Sequence, residues 1–252
     1  MVKDGEKSLL KLLQLLEAVG SAPEGIGSRE LAAELGMPPS SLFRMLKFLT
    51  ATGYAAKNGR LYTLGIGVQR LGWRAEVQNP LRTLALPALQ RLARETLETV
   101  HLAKLDGDRM IYVAKVEGER ALRMRSLVGR SSPLHCTGIG KAVLAFLPED
   151  DRQRRLNSLV LNAYTPATLT SGAALRQELA EIRRRGYAVD DEEHEEGVYC
   201  VAAPVLNRNG GMVAAVSVAG AALYLRGRTA ELAGLVVGAA RDIGKAIDGT
   251  AD

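Results

Sequence analysis

The stretch from Ser28 to Leu64 leaves the chain little choice of local structure. A short helical pattern, Arg29 to Leu35, is stopped by Gly36, a residue that can take positive φ past a helix end. Pro38 and Pro39 then open a second helix, where their missing N–H groups cost nothing. That helix runs to about Thr52 and is ended by Gly53. Tyr54–Ala56 and Arg60–Leu64 flank Asn58-Gly59, the strongest short hairpin signal in a sequence. Ser28 is expected to cap the first of these helices. Upstream, Leu9, Leu12, Leu13 and Leu16 recur at helical spacing from about Lys7 to Val19. Leu10 and Leu15 widen this apolar face, so the helix is expected to pack on more than one side. Three helices followed by a hairpin predict a winged helix-turn-helix.

The third helix carries the chemistry. At about 100° per residue, Leu42, Met45, Leu46 and Leu49 share one face, while Ser40, Arg44, Lys47 and Ala51 share the opposite one. From Leu35 to Ala75 there is no Asp or Glu, yet the stretch holds Arg44, Lys47, Lys57, Arg60, Arg70 and Arg74. A cationic helix face without acids suits the major groove of double-stranded DNA, where Arg44 can pair with a guanine edge. Ser40, near the helix start, is a candidate phosphate contact, and Ser28, Ser41 and Lys47 are further candidate DNA-binding residues. Lys57 and Arg60 flank the hairpin tip, where a wing touches phosphates. The net charge of +5 agrees with an anionic partner but decides little alone.

After a short helix around Ile66–Val77 comes Asn79-Pro80, which reads as a linker. The expected domains are residues 1–78 and 79–252. The second opens with an amphipathic helix, about Leu81–Leu97. Strands follow at Val100–Leu105 and Met110–Val116, with a third expected at Ala121–Leu127. Helices are predicted at Gly138–Leu147, Ala173–Arg185 and Thr229–Ile247. Tyr187–Val189 reads as a short strand, and Val198–Leu206 with Met212–Val218 as a hairpin around Asn209-Gly210-Gly211. The fold class expected is α+β.

Two sets of segments make the sequence familiar. Ser28-Arg-Glu-Leu-Ala-Ala-Glu-Leu-Gly-Met-Pro-Pro-Ser-Ser-Leu-Phe-Arg-Met-Leu and Tyr62-Thr-Leu-Gly resemble the DNA-binding part of the IclR family of bacterial regulators, though Pro39 stands where that family often has a charged residue. Pro133-Leu-His-Cys-Thr-Gly-Ile-Gly-Lys-Ala-Val-Leu-Ala-Phe-Leu-Pro, Arg185-Gly-Tyr-Ala-Val-Asp-Asp-Glu-Glu and Gly197-Val-Tyr-Cys-Val-Ala-Ala-Pro-Val resemble its C-terminal part. The resemblance implies a GAF-like second domain, with helices around a central antiparallel sheet, that binds a small-molecule effector. It implies a lining of Met124, Ser132, Gly138, Ile139, Asp190, Val198, Cys200, Ser217 and Ala219. One module of this size supplies few base contacts, so a homodimer or tetramer on a roughly palindromic operator is expected, with the apolar segment Ile66–Leu71 and Trp73 in the protomer contact, as the family's linker helix suggests. The family's Ser-x-Ser reads Ser217-Val-Ala219 here, so a larger or less polar ligand than a small carboxylate is expected. Tyr112, Tyr187 and Tyr199 are the aromatic candidates to meet it.

The rival class is an enzyme: a C-terminal domain that metabolises a small molecule, beside a non-specific basic module. His135-Cys136 suggests a thiol and its base, but neighbours on a strand point to opposite faces. Gly138-Ile-Gly140-Lys141 lacks the first glycine of a phosphate loop, at His135, and has Ala142 where Ser or Thr is required. Gly65-Ile-Gly67 lacks the third glycine of a dinucleotide fingerprint, since Arg70 stands there. His135, Cys136, His194 and Cys200 match no compact metal-ligand spacing. No metal or cofactor is therefore expected. With no apolar run of about 18 residues there is no membrane span to expect. The N-terminus shows no secretion signal and two cysteines make no disulfide scaffold, so cytoplasmic residence is expected.

Overall fold

The structure, a computed structural model, describes residues 4–78, 80–120 and 124–249. It divides into two compact units, with the division after Pro80. The first contains α1 (Asp4–Gly20), β1 (Ile26–Gly27), α2 (Ser28–Glu34), α3 (Pro39–Ala51), β2 (Ala55–Asn58), β3 (Leu61–Leu64) and α4 (Ile66–Gln78). Its antiparallel sheet has the order β1-β3-β2. Leu42, Met45, Leu46 and Leu49 of α3 are all buried, against Leu15, Val19, Ile26, Leu31 and Tyr62. Gly36, Gly53 and Gly59 take φ of +57°, +76° and +63°, where a side chain would be strained.

One local expectation is corrected. Ser28 does not cap α2 but starts it: extended Gly27 is the cap residue, and no side chain bonds the free N–H groups. Of the α1 leucines, Leu15 is fully buried while Leu9, Leu10 and Leu13 are exposed, so within this unit the helix packs on one side. Gly65-Ile-Gly67 has a structural reason. A Cβ on Gly65 or Gly67 would stand 2.3 or 2.9 Å from the Gly53 carbonyl oxygen, and Gly67 N–H donates to that oxygen at 2.8 Å.

The second unit runs α5 (Leu81–Thr96), β4 (Thr99–Asp106), β5 (Arg109–Val116), β6 (Ser131–Pro133), α6 (Gly138–Phe146), α7 (Glu149–Ser158), α8 (Gly172–Arg185), β7 (Ala188–Asp191), β8 (Val198–Leu206), β9 (Met212–Ala221), α9 (Ala222–Leu225), a 3-10 turn and α10 (Thr229–Asp248). The antiparallel sheet has the order β6-β5-β4-β9-β8-β7. One face (Val100, Leu102, Val201, Ala203, Val205, Val216, Val218) packs on α5 and α10. The other (Ala103, Cys200, Ala202, Ala215, Ala219) packs on α6 and α8. Covered on both sides, β8 and β9 are near-continuously apolar, which is why strict alternation is lost in their sequence.

The third strand lies elsewhere than expected. Positions 121–123 are outside the described residues, and 124–127 form no strand; β6 at Ser131–Pro133 pairs with β5 instead, Met110 opposite Ser132. A three-residue edge strand carries no periodicity to read. Asp190 sits inside β7 rather than past its end. His135 and Cys136 lie on no strand; both are buried in the turn between β6 and α6. Among the described residues no helix is long and apolar enough to cross a membrane.

Candidate nucleic-acid interface and effector site

Ser40, Arg44, Lys47 and Ala51 are all exposed on α3, opposite its buried face, and Ser41 is half-buried. Among the described residues neither Arg44 nor Lys47 has an ion pair or a side-chain hydrogen bond. Beside the hairpin, Gly27, Ser28, Arg29, Lys57, Gly59, Arg60 and Tyr62 line an open cleft of about 410 Å³. The Lys57 ammonium stands 5.5 Å from the Tyr62 ring centroid, close enough for the ring face to steady the cation. Arg29 was not legible as a candidate, although one signal exists. It stands in the first turn of α2, where the helix dipole disfavours a cation, so its placement there needs another reason. The cleft makes it a partner of Lys57 and Arg60.

The second unit buries His101, Ser132, Asp190 and Ser217 on its sheet. Register puts Cys200 opposite both Asp190 and Ala219, and Ser217 opposite both Ala202 and His101. Cys200 and Ser217 thus share one face. The Gly138 backbone and the Ser217 hydroxyl lie beside the Cys200 sulfur, but burial still pushes the thiol up to about 12. The start of α6 sits so close that a Cβ on Gly138 would be 3.0 Å from that sulfur. Thr137 caps α6, accepting from Gly140 N–H at 3.1 Å and donating to Pro133 O at 2.6 Å. A Cβ on Gly140 would meet the Leu134 carbonyl at 2.4 Å. Both glycines of Gly138-Ile-Gly140 are therefore required by close packing.

Asp190 accepts a hydrogen bond from Glu193 N–H at 2.9 Å. Burial pushes its carboxyl up to about 7, with Glu193 adding to the effect and Lys141 opposing it. Lys141, 1% exposed, is ion-paired with Glu193, whose second oxygen is buried without a hydrogen bond. Burial likewise pushes the Cys136 thiol up to about 12, so neither thiol supplies a thiolate nucleophile at neutral pH.

The chain matches the IclR helix-turn-helix domain over residues 8–59 and the bacterial transcriptional regulator IclR C-terminal domain over residues 75–245. The chain belongs to the IclR family. Among its relatives, the HTH-type transcriptional regulator KdgR of Escherichia coli is 36% identical over 217 residues, covering 85% of this chain and 82% of KdgR. The crystal structure of the Thermotoga maritima IclR superposes with a TM-score of 0.80 at 32% identity, covering 96% and 99% of the two chains. An IclR homologue from Microbacterium hydrocarbonoxydans, solved with 4-hydroxybenzoate, gives 0.87 at 22% identity over 96% and 99%, a likeness of fold. The protein is thus a transcriptional regulator with a DNA-binding helix-turn-helix unit and an effector-binding C-terminal unit.

Of the lining implied by likeness to the IclR family, Gly138, Ile139, Asp190, Val198, Cys200, Ser217 and Ala219 come together where α6 meets β7, β8 and β9. Ser132 lies on β6, at the other edge of the sheet order, and is buried. Tyr112 links the two regions. Its phenol, which burial pushes up to about 12, lies beside the Ser132 hydroxyl without the geometry of a full hydrogen bond and also feels Cys200 and Asp190. Tyr187 and Tyr199 pack on the opposite face, and the Tyr199 hydroxyl pairs with Thr229 at 2.6 Å. Only Tyr112 of the three aromatic candidates is on the site side.

His101 and Lys115 were missed. The His101 ring lies 5.1 Å from Tyr112, with Nε2 2.6 Å from the Ser126 hydroxyl; burial first, then Lys115, pulls it down to about 3. Lys115 donates to the carbonyls of Met124 and Ser126 at 2.8 and 3.0 Å, which ties Met124 to the sheet. Strand alternation around Val100 and Leu102 would have put His101 on the site face, given the register.

Proposed function

We infer that α3 enters the major groove of double-stranded DNA, that the wing cleft grips a flanking phosphate, and that an effector bound on the α6 face of the second unit changes operator affinity. The observation that carries this reading is the exposed, acid-free face of Ser40, Arg44 and Lys47 in the same unit as the Arg29/Lys57/Arg60 cleft. Ser28 and Ser41 flank these groups as further phosphate contacts. The reading implies a cytoplasmic protein that binds its ligand without turning it over. Fluorescence anisotropy of a selected operator across a salt series tests it: binding should weaken steeply with salt. Salt-independent binding would refute it.

Lys57→Ala and Arg60→Ala should each lower the magnitude of the salt slope by about one unit and weaken binding to all sequences alike. A change of base preference with the slope intact would assign these residues a different role.

The reading includes at least a homodimer on a roughly palindromic site, because two-fold symmetry doubles the base contacts of one small module. Ile66, Leu71, Trp73 and Val77 of α4 and Leu9, Leu10 and Leu13 of α1 are exposed by 48–83%, more apolar surface than solvent-facing helices normally present. Light scattering should give a dimer or larger species with operator; a monomer both free and bound would remove this part of the reading.

The Ser217 hydroxyl is buried on the sheet face toward α6. Its neighbour on that face is the Cys200 sulfur, a weak partner that a polar effector group would replace. Ser217→Ala should weaken the effector found by a thermal-shift screen by about 2- to 12-fold, the worth of one hydrogen bond, and leave effector-free DNA affinity unchanged. Calorimetry showing unaltered ligand affinity would put the effector elsewhere.

A further inference from the structure

Phe43 is 63% exposed on α3, the helix whose polar face carries Arg44 and Lys47, and it takes no part in the core of its unit. On a helix it neighbours Lys47 at i+4 and Ser40 at i−3, so the ring sits along the cationic face. Phe48, 55% exposed, flanks the other side of that face as the i+4 neighbour of Arg44. The two differ in depth: residues near the start of a recognition helix meet base edges. Phe43 lies in the first half of Pro39–Ala51 and Phe48 in the last turns.

We propose that Phe43 reads the 5-methyl group of a thymine neighbouring the guanine taken by Arg44. The inference rests on the reading that α3 enters the major groove. There thymine alone among the four bases presents a methyl group, and an apolar side chain is its natural contact. The next residue along, Arg44, supplies the fork for guanine, so one turn of helix combines a methyl reader with a guanine reader. No carboxylate between Leu35 and Ala75 opposes the approach of phosphates to this ring.

The test starts from an operator selected by the full-length protein from random duplexes. Each thymidine is then replaced in turn by deoxyuridine, which removes one methyl group and keeps the base pair. At one position per half-site, within about two base pairs of the guanine to which Arg44→Ala becomes indifferent, the parent protein should bind about fourfold more weakly, the worth of one buried methyl-sized group. Phe43→Ala should bind the thymidine operator more weakly and ignore that replacement; Phe43→Leu should keep part of the preference. Both variants should fold as the parent does, since the side chain is exposed, and circular dichroism checks this. A uridine penalty that survives in Phe43→Ala, an operator without a uridine-sensitive thymine, or a Phe43→Ala variant that alters only the oligomeric state would overturn the proposal. If the methyl test fails while Arg44→Ala still relaxes base preference, the role of Phe43 alone is refuted. If both fail, α3 does not face the groove as inferred.

Discussion

Arg44→Ala is expected to cost operator binding about 1–3 kcal/mol per half-site and to relax preference at one base pair, the worth of one bidentate contact to a base edge. The magnitude follows from the geometry of the guanidinium, whose planar fork matches the two acceptors of guanine, whereas the ammonium of Lys47 is a point charge suited to phosphate. Because Arg44 is exposed and pairs with no described residue, its removal leaves the fold intact, and the loss appears in binding alone. Titration on operators randomised at each position measures both quantities. Undiminished affinity with undiminished base preference would mean that a different face of α3 meets DNA.

Lys141→Met is expected to destabilise the second unit by about 3–5 kcal/mol at pH 7.5, because removing one partner of a buried ion pair strands the other. Glu193 keeps a buried carboxylate whose second oxygen already has no hydrogen bond, and Asp190 loses the cation that opposes its burial. Glu178, 4.0 Å from the ammonium, loses a weaker contact. In a unit of this size the loss lowers the unfolding midpoint by about 6–20 °C. The pH dependence has a definite sign. The folded-state pKa of Asp190, about 7, and that of Glu193 both lie above their unfolded values. The folded state therefore binds more protons between the two values, and stability falls as pH rises from about 4 through 7. Without Lys141 both folded values rise further, so the deficit of the variant should be largest above pH 7 and shrink toward pH 5. Lys141→Met combined with Glu193→Gln should recover part of the loss. A single variant within about 1 kcal/mol of the parent at pH 7.5, by denaturant unfolding, would show that the pair is not a stabilising contact.

Local chemistry alone determined most of the first unit. Gly36, Gly53 and Gly59 punctuate it because each takes a left-handed conformation that other residues resist, and the core face of α3 follows from the helical repeat. Those signals involve neighbours a few residues apart, so they are legible in one dimension. The second unit was legible where elements are long and amphipathic, as in α5, α8 and α10. It was illegible at α7, which buries no side chain and so shows no apolar period, and at β6, whose three residues are set by pairing with β5.

The effector face depended on tertiary structure for a different reason. Family likeness could name Cys200 and Ser217, but a register shift between Leu102 and Ala103 sets which residues of β5 oppose those of β4, and with them the place of Lys115 opposite His101. A slip of one residue sends every side chain of a strand to the other face. Likewise, burial pushes the Asp190 carboxyl up to about 7 and makes Lys141 seek Glu193, and burial is a property of packing between segments more than fifty residues apart in the chain. The residue types of the site were thus set by sequence, while their shared face, their partners and their charge states were decided by the pairing of strands and the desolvation that α6 imposes on them.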